Sequence, residues 1–395
     1  MTVLMLAPGA SVHSVRPLDW LLARGCQVRF VDDRRPRPAT RDGFRWAPYP
    51  LGAGRHRWLG WNLSHRVADA ALRRLARGAD IVHVHWVDHR AYACARLGLR
   101  PLVITVWGSD VNLLLEPGAD ETCRQQVGAA LAAADLVLAD SGDMPAKIAR
   151  LAGRPVPTAL LPLGIDTARF QPAPPEAIAD WRRRLGAPDD AAVLMSVRAW
   201  GRRYGHEELL EAFARARRDA RRRAVLVFKI YNVGDYAEGP ALLERLQART
   251  RELGIDDDVR WLSDVPFDAL PALYGAADAV LNYPVMDAFP VTFMEAAACQ
   301  CPVVTVDLPA YRDTFVHRFF QVVPPGDAAA LAAALRAAID EDPAAARARL
   351  REARELMVRE FDESVTADQL LAHYRRLAGD GATAGGEAPG GAGTR

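Results

Sequence analysis

Lysine is nearly missing from this chain: Lys147 and Lys229 are the only two in 395 residues, and every other basic residue is an arginine. Chemistry that needs a Schiff-base amine therefore has two candidates and no more. Cysteine is sparse as well. The five, Cys26, Cys94, Cys123, Cys299 and Cys301, are odd in number and scattered, so neither a disulfide framework nor a zinc site is indicated. Cys299-Gln300-Cys301 lacks a second cysteine pair and reads as two small buried residues. No apolar run reaches the roughly 18 residues that a membrane span needs. The opening Val3-Leu4-Met5-Leu6 has neither the basic flank nor the length of a signal peptide, so the expectation is a cytoplasmic protein. Net charge is almost absent, 50 Lys/Arg against 49 Asp/Glu, which excludes the basic excess of a dedicated nucleic-acid binder.

That balance hides an asymmetry. Residues 1–165 hold 21 Arg/Lys against 14 Asp/Glu, and the remainder holds 29 against 35. The basic first half suits peripheral contact with an anionic lipid surface, or an anionic substrate; solvated surface charge explains it equally well. The length calls for two domains, since one core stops growing well below 395 residues.

Short apolar runs alternate with longer helical patterns, the signature of βα units and parallel sheets. One series of strands falls near Val3–Leu6, Gln27–Val31, Ile81–His85, Leu102–Val106 and Leu136–Ala139. A second falls near Val193–Val197, Val225–Ile230, Val259–Leu262, Ala279–Leu281 and Val303–Val306. The Pro-rich stretch Pro155–Pro175 between them reads as a linker. A last helical pattern, Ser364–Leu377, follows the second series, and the Gly/Ala-rich tail from Gly379 reads as disordered.

The segment richest in chemistry is Asp287-Ala-Phe289-Pro290-Val291-Thr292-Phe-Met-Glu295-Ala-Ala-Ala-Cys-Gln-Cys-Pro302-Val-Val304. It reads as loop, short helix, turn and strand. Pro290 suits the first helical position, which leaves the Val291 and Thr292 amides facing out as a phosphate site. Asp287 in the loop and Glu295 in the second turn can address different parts of one ligand. An ordinary helix with an acid before it is an equal alternative on physics alone.

The segment resembles the acid-x7-Glu motif of glycosyltransferase family 4. That resemblance implies an α/β fold of GT-B architecture, two Rossmann-like doubly wound domains facing across a cleft. It implies an acceptor-binding domain over 1–165, joined by a returning C-terminal helix at about 362–378, and a nucleotide-sugar domain over 175–361, with 379–395 as the tail. Glu295 would then hold the donor ribose and Asp287 the donor sugar, with Phe289, Pro290, Val291 and Thr292 lining the donor. Asp stands where Glu is usual, and Pro290 and Gln300 stand where glycines are usual.

Other motifs fall in the family's order. Ser196-Val-Arg198-Ala-Trp-Gly-Arg-Arg203-Tyr204-Gly205 follows a strand, and the resemblance gives Arg198 and Arg203 to the diphosphate, with Tyr204 competing for the second place. Thr105-Val-Trp107-Gly108-Ser109-Asp110 resembles a loop lying against the donor sugar, with Trp107 in place of a histidine. Asp110 either serves catalysis or caps the next helix. In Ala7-Pro-Gly9-Ala-Ser11-Val-His13, Gly9 allows a ligand's close approach. Ser11 and His13 are acceptor candidates, with a structural histidine as the alternative. No Gly-x-Gly-x-x-Gly is present, so Asp32-Asp33 is weak support for a nicotinamide site. His83 and His85 share a strand face like metal ligands but also fit the family's strand pattern. Leu163-Gly164-Ile165-Asp166 matches the family's crossover between domains.

The resemblance implies a retaining transferase that needs no metal or cofactor. It would move a sugar from a UDP- or GDP-linked donor to a hydroxyl of a glycan, lipid-linked or small natural-product acceptor. A glycan phosphorylase with pyridoxal on Lys147 or Lys229, and a non-catalytic sugar-nucleotide-binding subunit, are the rivals.

Overall fold

The structure, a computed structural model, describes residues 1–9, 11–32, 42–49, 61–230, 233–235 and 238–383. It divides into two compact units. The first is Met1–Pro162 joined by the chain from Thr366, and the second is Leu163–Val365.

In the first unit, β1 (Thr2–Leu6), β2 (Gln27–Asp32), β3 (Phe44–Pro48), β4 (Ile81–His85), β5 (Leu102–Thr105), β6 (Leu136–Ala139) and β7 (Thr158–Leu160) form one parallel sheet. Its order is β3-β2-β1-β4-β5-β6-β7. Helices cover both faces, so an interior strand such as β6 is apolar at every position rather than at alternate ones. Along β1, Leu4 and Leu6 enter one apolar cluster while Val3 and Met5 enter the other. The last helix, Glu363–Thr383, gives Leu370, Leu371 and Tyr374 to the second cluster.

Two expectations change here. The helix runs on through Gly379 to Thr383, because Leu377 still packs on the cluster and carries the weak Gly/Ala turn with it; residues 384–395 lie outside the described residues. The Pro-rich stretch is not a plain linker, since it contains β7. The prolines are tolerated because the ladder uses their carbonyls or skips them: Val137 N–H donates to Pro157 O at 2.8 Å, and Leu161 N–H to Ala139 O at 2.7 Å.

The second unit has β8 (Ala192–Ser196), β9 (Ala224–Lys229), β10 (Val259–Leu262), β11 (Ala279–Asn282), β12 (Val303–Val306) and β13 (Gln321–Val323). They form a parallel sheet in the order β10-β9-β8-β11-β12-β13. The order reverses between β8 and β11, and the loops leaving those two strands border a crevice where ligands bind in such sheets. The chain enters this unit and leaves it at one place: Ile165 N–H donates to Phe361 O at 2.9 Å and Glu363 N–H to Ile165 O at 2.8 Å. Thr167 Oγ1 adds a 2.5 Å bond to the Asp362 carboxylate. Among the described residues, no helix is long and apolar enough to cross a membrane.

Candidate active site

The switch point of the second unit gathers most of the predicted residues. The loop after β8 is pressed against the loop after β11. Val285 N–H donates to Arg203 O at 2.8 Å. A Cβ on Gly205 (φ 67°) would sit 1.9 Å from the Tyr283 carbonyl oxygen, so only glycine fits this crossing. The contact brings Arg198 to Asp287. One guanidinium nitrogen, Nη2, lies 3.0 and 2.8 Å from the two carboxylate oxygens, with both side chains nearly buried. Tyr204 lies under the Arg198 guanidinium at 4.7 Å from its ring centre, while the Arg203 side chain is half-buried on the same turn. Sequence reasoning gave Arg198 and Asp287 to different parts of a ligand; the structure ties them to each other.

Helix Val291–Ala298 follows. Pro290 precedes it with extended backbone (φ −73°, ψ 135°), so it is the cap and not the first helical residue, because Val291 is where the helical dihedrals begin. The first amide turned back into the helix is that of Phe293, to Pro290 O at 3.1 Å. Val291 and Thr292 come before it at the positive end of the helix. Phe289 precedes them and is 7 % exposed. It belongs to the apolar core, edge-on to Phe293 and Phe315 at 6.0 and 5.5 Å, because an exposed aromatic face there would leave that core unfilled. Gln300 takes the left-handed conformation (φ 55°) that a glycine would hold without strain.

Glu295 is 8 % exposed and accepts a 2.8 Å bond from Tyr274 Oη. Burial, and then the Glu295 charge, push the Tyr274 phenol well up, so it stays protonated as a donor. Lys229, at the end of β9, stands near the same carboxylate. Burial lowers its ammonium and Glu295 opposes that. Tyr311 Oη donates to Asp287 Oδ2 at 2.8 Å and accepts from Asn282 Nδ2 at 3.1 Å. Tyr274, Tyr311 and Asn282 escaped sequence reasoning because each comes from a separate element with no motif of its own. Lys229 was visible in the sequence only as a candidate Schiff-base amine.

In the first unit a second group of polar residues sits at the carboxyl ends of β1, β4 and β5. His13 packs on Trp107 at 4.8 Å, and Trp107 meets Trp86 edge-on at 5.5 Å. Trp86 holds φ 68°, a strained value for so large a residue. His85 is 2 % exposed, and both its ring nitrogens, like Trp107 Nε1, lack a hydrogen-bond partner among the described residues. Burial drops His13 to about 4 and drives His85 well below its ordinary value, so both rings are neutral. His83 instead bonds Tyr374 Oη and, at 2.7 Å, Thr105 Oγ1.

Several residues take structural parts. Ser11 caps helix Val12–Ala23, its Oγ accepting from His13 N–H at 3.3 Å. Gly9 makes its close approach to the chain's own Asp32: an added Cβ would fall 2.1 Å from Asp32 Oδ2. Asp33 lies outside the described residues. Gly108 holds φ 91° ahead of the short helix Ser109–Asn112. Asp110 is inside that helix and does not cap it. Its carboxylate instead accepts from Val87 N–H and Trp107 N–H at 2.8 and 2.9 Å, fixing the Trp107 loop. Burial raises Asp110 to about 7 against the pull of those amides. Cys299 and Cys301 are buried, and no three His, Cys, Asp or Glu side chains converge as metal ligands among the described residues.

The sequence model of "Glycosyl transferases group 1" matches residues 177–357, and that of "Glycosyltransferase Family 4" matches residues 8–169. D-inositol 3-phosphate glycosyltransferase 1 of Catenulispora acidiphila is 31 % identical over 319 residues, 78 % of this chain and 74 % of that protein. The chain belongs to glycosyltransferase family 4. D-inositol 3-phosphate glycosyltransferase of Kineococcus radiotolerans is 27 % identical across 97 % of this chain and 94 % of its own length. Sucrose-phosphate synthase of Thermosynechococcus elongatus matches the structure with a TM-score of 0.78 at 21 % identity, covering 96 % of this chain and 100 % of that one. HepE of Anabaena in complex with UDP matches with a TM-score of 0.74 at 19 % identity, covering 95 % and 100 %. The fold is GT-B, and this family 4 protein is a glycosyltransferase.

Proposed function

We propose that this glycosyltransferase takes a nucleotide diphosphate sugar, UDP- or GDP-linked, at the switch point of its second unit and transfers the sugar with retention. Glu295 holds the ribose hydroxyls. The Val291 and Thr292 amides, with Arg198 and Arg203, take the diphosphate, and Asp287 reads the donor sugar. The observation that carries this reading is the placement of Arg198 against Asp287 four residues before the helix start. A cation and the positive end of a helix there share one site with two carboxylates.

The support from relatives is of the same kind. HepE is seen with UDP, and a Mycolicibacterium smegmatis relative, 30 % identical over 53 % of this chain, is a GDP-mannose-dependent mannosyltransferase. In the proposed step the diphosphate leaves from the face on which the acceptor hydroxyl enters, and it receives that hydroxyl's proton. Arginine charge and amide dipoles offset the charge that develops on the leaving diphosphate, so the step calls for no metal and no cofactor. The acceptor is a hydroxyl of a glycan, a lipid-linked sugar or a small molecule. Its recognition falls to the first unit, where Trp107 and His13 offer ring faces. The basic excess of residues 1–165 supports peripheral contact with an anionic membrane.

Calorimetry on Glu295→Ala tests the donor site. Nucleotide affinity should fall by at least about tenfold with the fold kept, since a charged hydrogen-bond acceptor is removed. Unchanged affinity would refute the ribose assignment. A thermal-shift panel of UDP-, GDP- and dTDP-sugars then identifies the base, because a tight ligand raises the melting temperature.

A further inference from the structure

We propose that Tyr311 is a positioning residue for donor-sugar selection, and that it acts by holding Asp287 while Arg198 is handed from that carboxylate to the diphosphate. The inference rests on the donor placement proposed above.

Asp287 Oδ1 accepts from Arg198 Nη2 at 3.0 Å and from the Ala288 amide at 3.1 Å. Oδ2 accepts from Arg198 Nη2 and Tyr311 Oη, each at 2.8 Å. A carboxylate has about four lone-pair sites, so these bonds fill it, and a sugar hydroxyl can reach it only when a donor departs. The Ala288 amide is the next residue's and moves with Asp287. Tyr311 cannot leave. It is fully buried, edge-on to Phe293 at 4.9 Å, and its oxygen is held by Asn282 Nδ2, which also donates to Thr305 Oγ1 at 3.3 Å.

Arg198 is the member that a ligand can draw away. It sits on the loop after β8, and a diphosphate at the Val291–Thr292 helix start would offer its guanidinium more negative charge and a two-pronged pairing. Its departure opens two acceptor sites on Asp287 at once, because its two bonds to that carboxylate come from one nitrogen. Tyr311 keeps the carboxylate aimed in the meantime. Nucleotide arrival thus prepares the sugar site, and a free sugar meets a closed one. An aspartate suits this arrangement, since its short side chain stays within reach of the Tyr311 hydroxyl.

The test titrates the full chain with UDP, UDP-glucose, GDP and GDP-mannose, comparing wild type with Tyr311→Phe and Asn282→Ala. Tyr311→Phe keeps the buried ring. It should bind the nucleoside diphosphate within about twofold of wild type and lose about tenfold for the matching nucleotide sugar, the size of one hydrogen bond to a charged group. Asn282→Ala, which removes the group orienting that hydroxyl, should show the same split at smaller size. Equal loss for diphosphate and nucleotide sugar, or loss for neither, overturns the proposal. A wild type that binds none of the four removes the donor-site reading instead, and this inference falls with it.

Discussion

Replacing Tyr374 by Phe removes one oxygen from the centre of the first unit. The Tyr374 hydroxyl, on the last helix, meets His83 Nδ1 on β4, and His83 Nε2 meets Thr105 Oγ1 at 2.7 Å on β5. Tyr374 and His83 are both fully buried. The phenylalanine ring still fills the site, with the edge-on contact to His83 at 5.7 Å retained, so no cavity opens. What remains is a buried ring nitrogen without its partner. Leaving such a group unsatisfied costs about 1–3 kcal/mol. For a unit of this size each kcal/mol lowers the melting temperature by roughly 2–4 °C, so the expected drop is about 2–12 °C. Differential scanning calorimetry measures it, and limited proteolysis should show the last helix cut earlier than in wild type. A drop under about 1 °C with unchanged proteolysis would mean that His83 is satisfied by another route and that the Tyr374 hydroxyl adds nothing to stability.

The buried histidines set an acid limit. Burial holds His13 near 4, His83 at about 3 and His206 at about 4, all below the ordinary 6.5. The unfolded chain therefore binds more protons from pH 6.5 downward, and stability present above 6.5 is lost as pH falls through about 4. Asp110, raised to about 7, works the other way but is one group against several. Melting temperature should fall steadily from pH 6.5 to 4; a flat profile there would contradict neutral buried rings. Gly205→Ala forces a Cβ into the Tyr283 carbonyl, so the loop carrying Arg198 must lift. Nucleotide affinity should drop by at least about tenfold while circular dichroism stays native, since only the loop crossing is lost; wild-type affinity would show that the crossing does not hold the site.

Interior strands were legible because burial on both faces leaves them largely apolar, with every residue of β4 and of β12 buried. The strands that were not, β3, β7 and β13, lie at sheet edges, where half-exposed residues such as those of Thr158–Leu160 carry no such run. The site divides in the same way. The Asp287–Glu295 spacing and Arg198 sit on continuous segments and could be read in order. Tyr274, Tyr311 and Asn282 are brought to the carboxylates by the crossing of separate βα units, which no local spacing records. Pro290 was placed one residue too far along, since it caps the helix with extended backbone instead of opening it, a difference that a pattern of positions does not record.

The first unit is built from two ends of the chain, and this sets an order on its assembly. Its sheet is complete by Leu160, but the apolar cluster under β1, β2 and β5 also needs Leu370, Leu371 and Tyr374. During synthesis some 200 residues of the second unit must emerge before that face can close, although domains otherwise tend to fold as they appear. A nascent chain paused after residue 162 should bind a holdase chaperone through this open face, and release should coincide with emergence of the last helix.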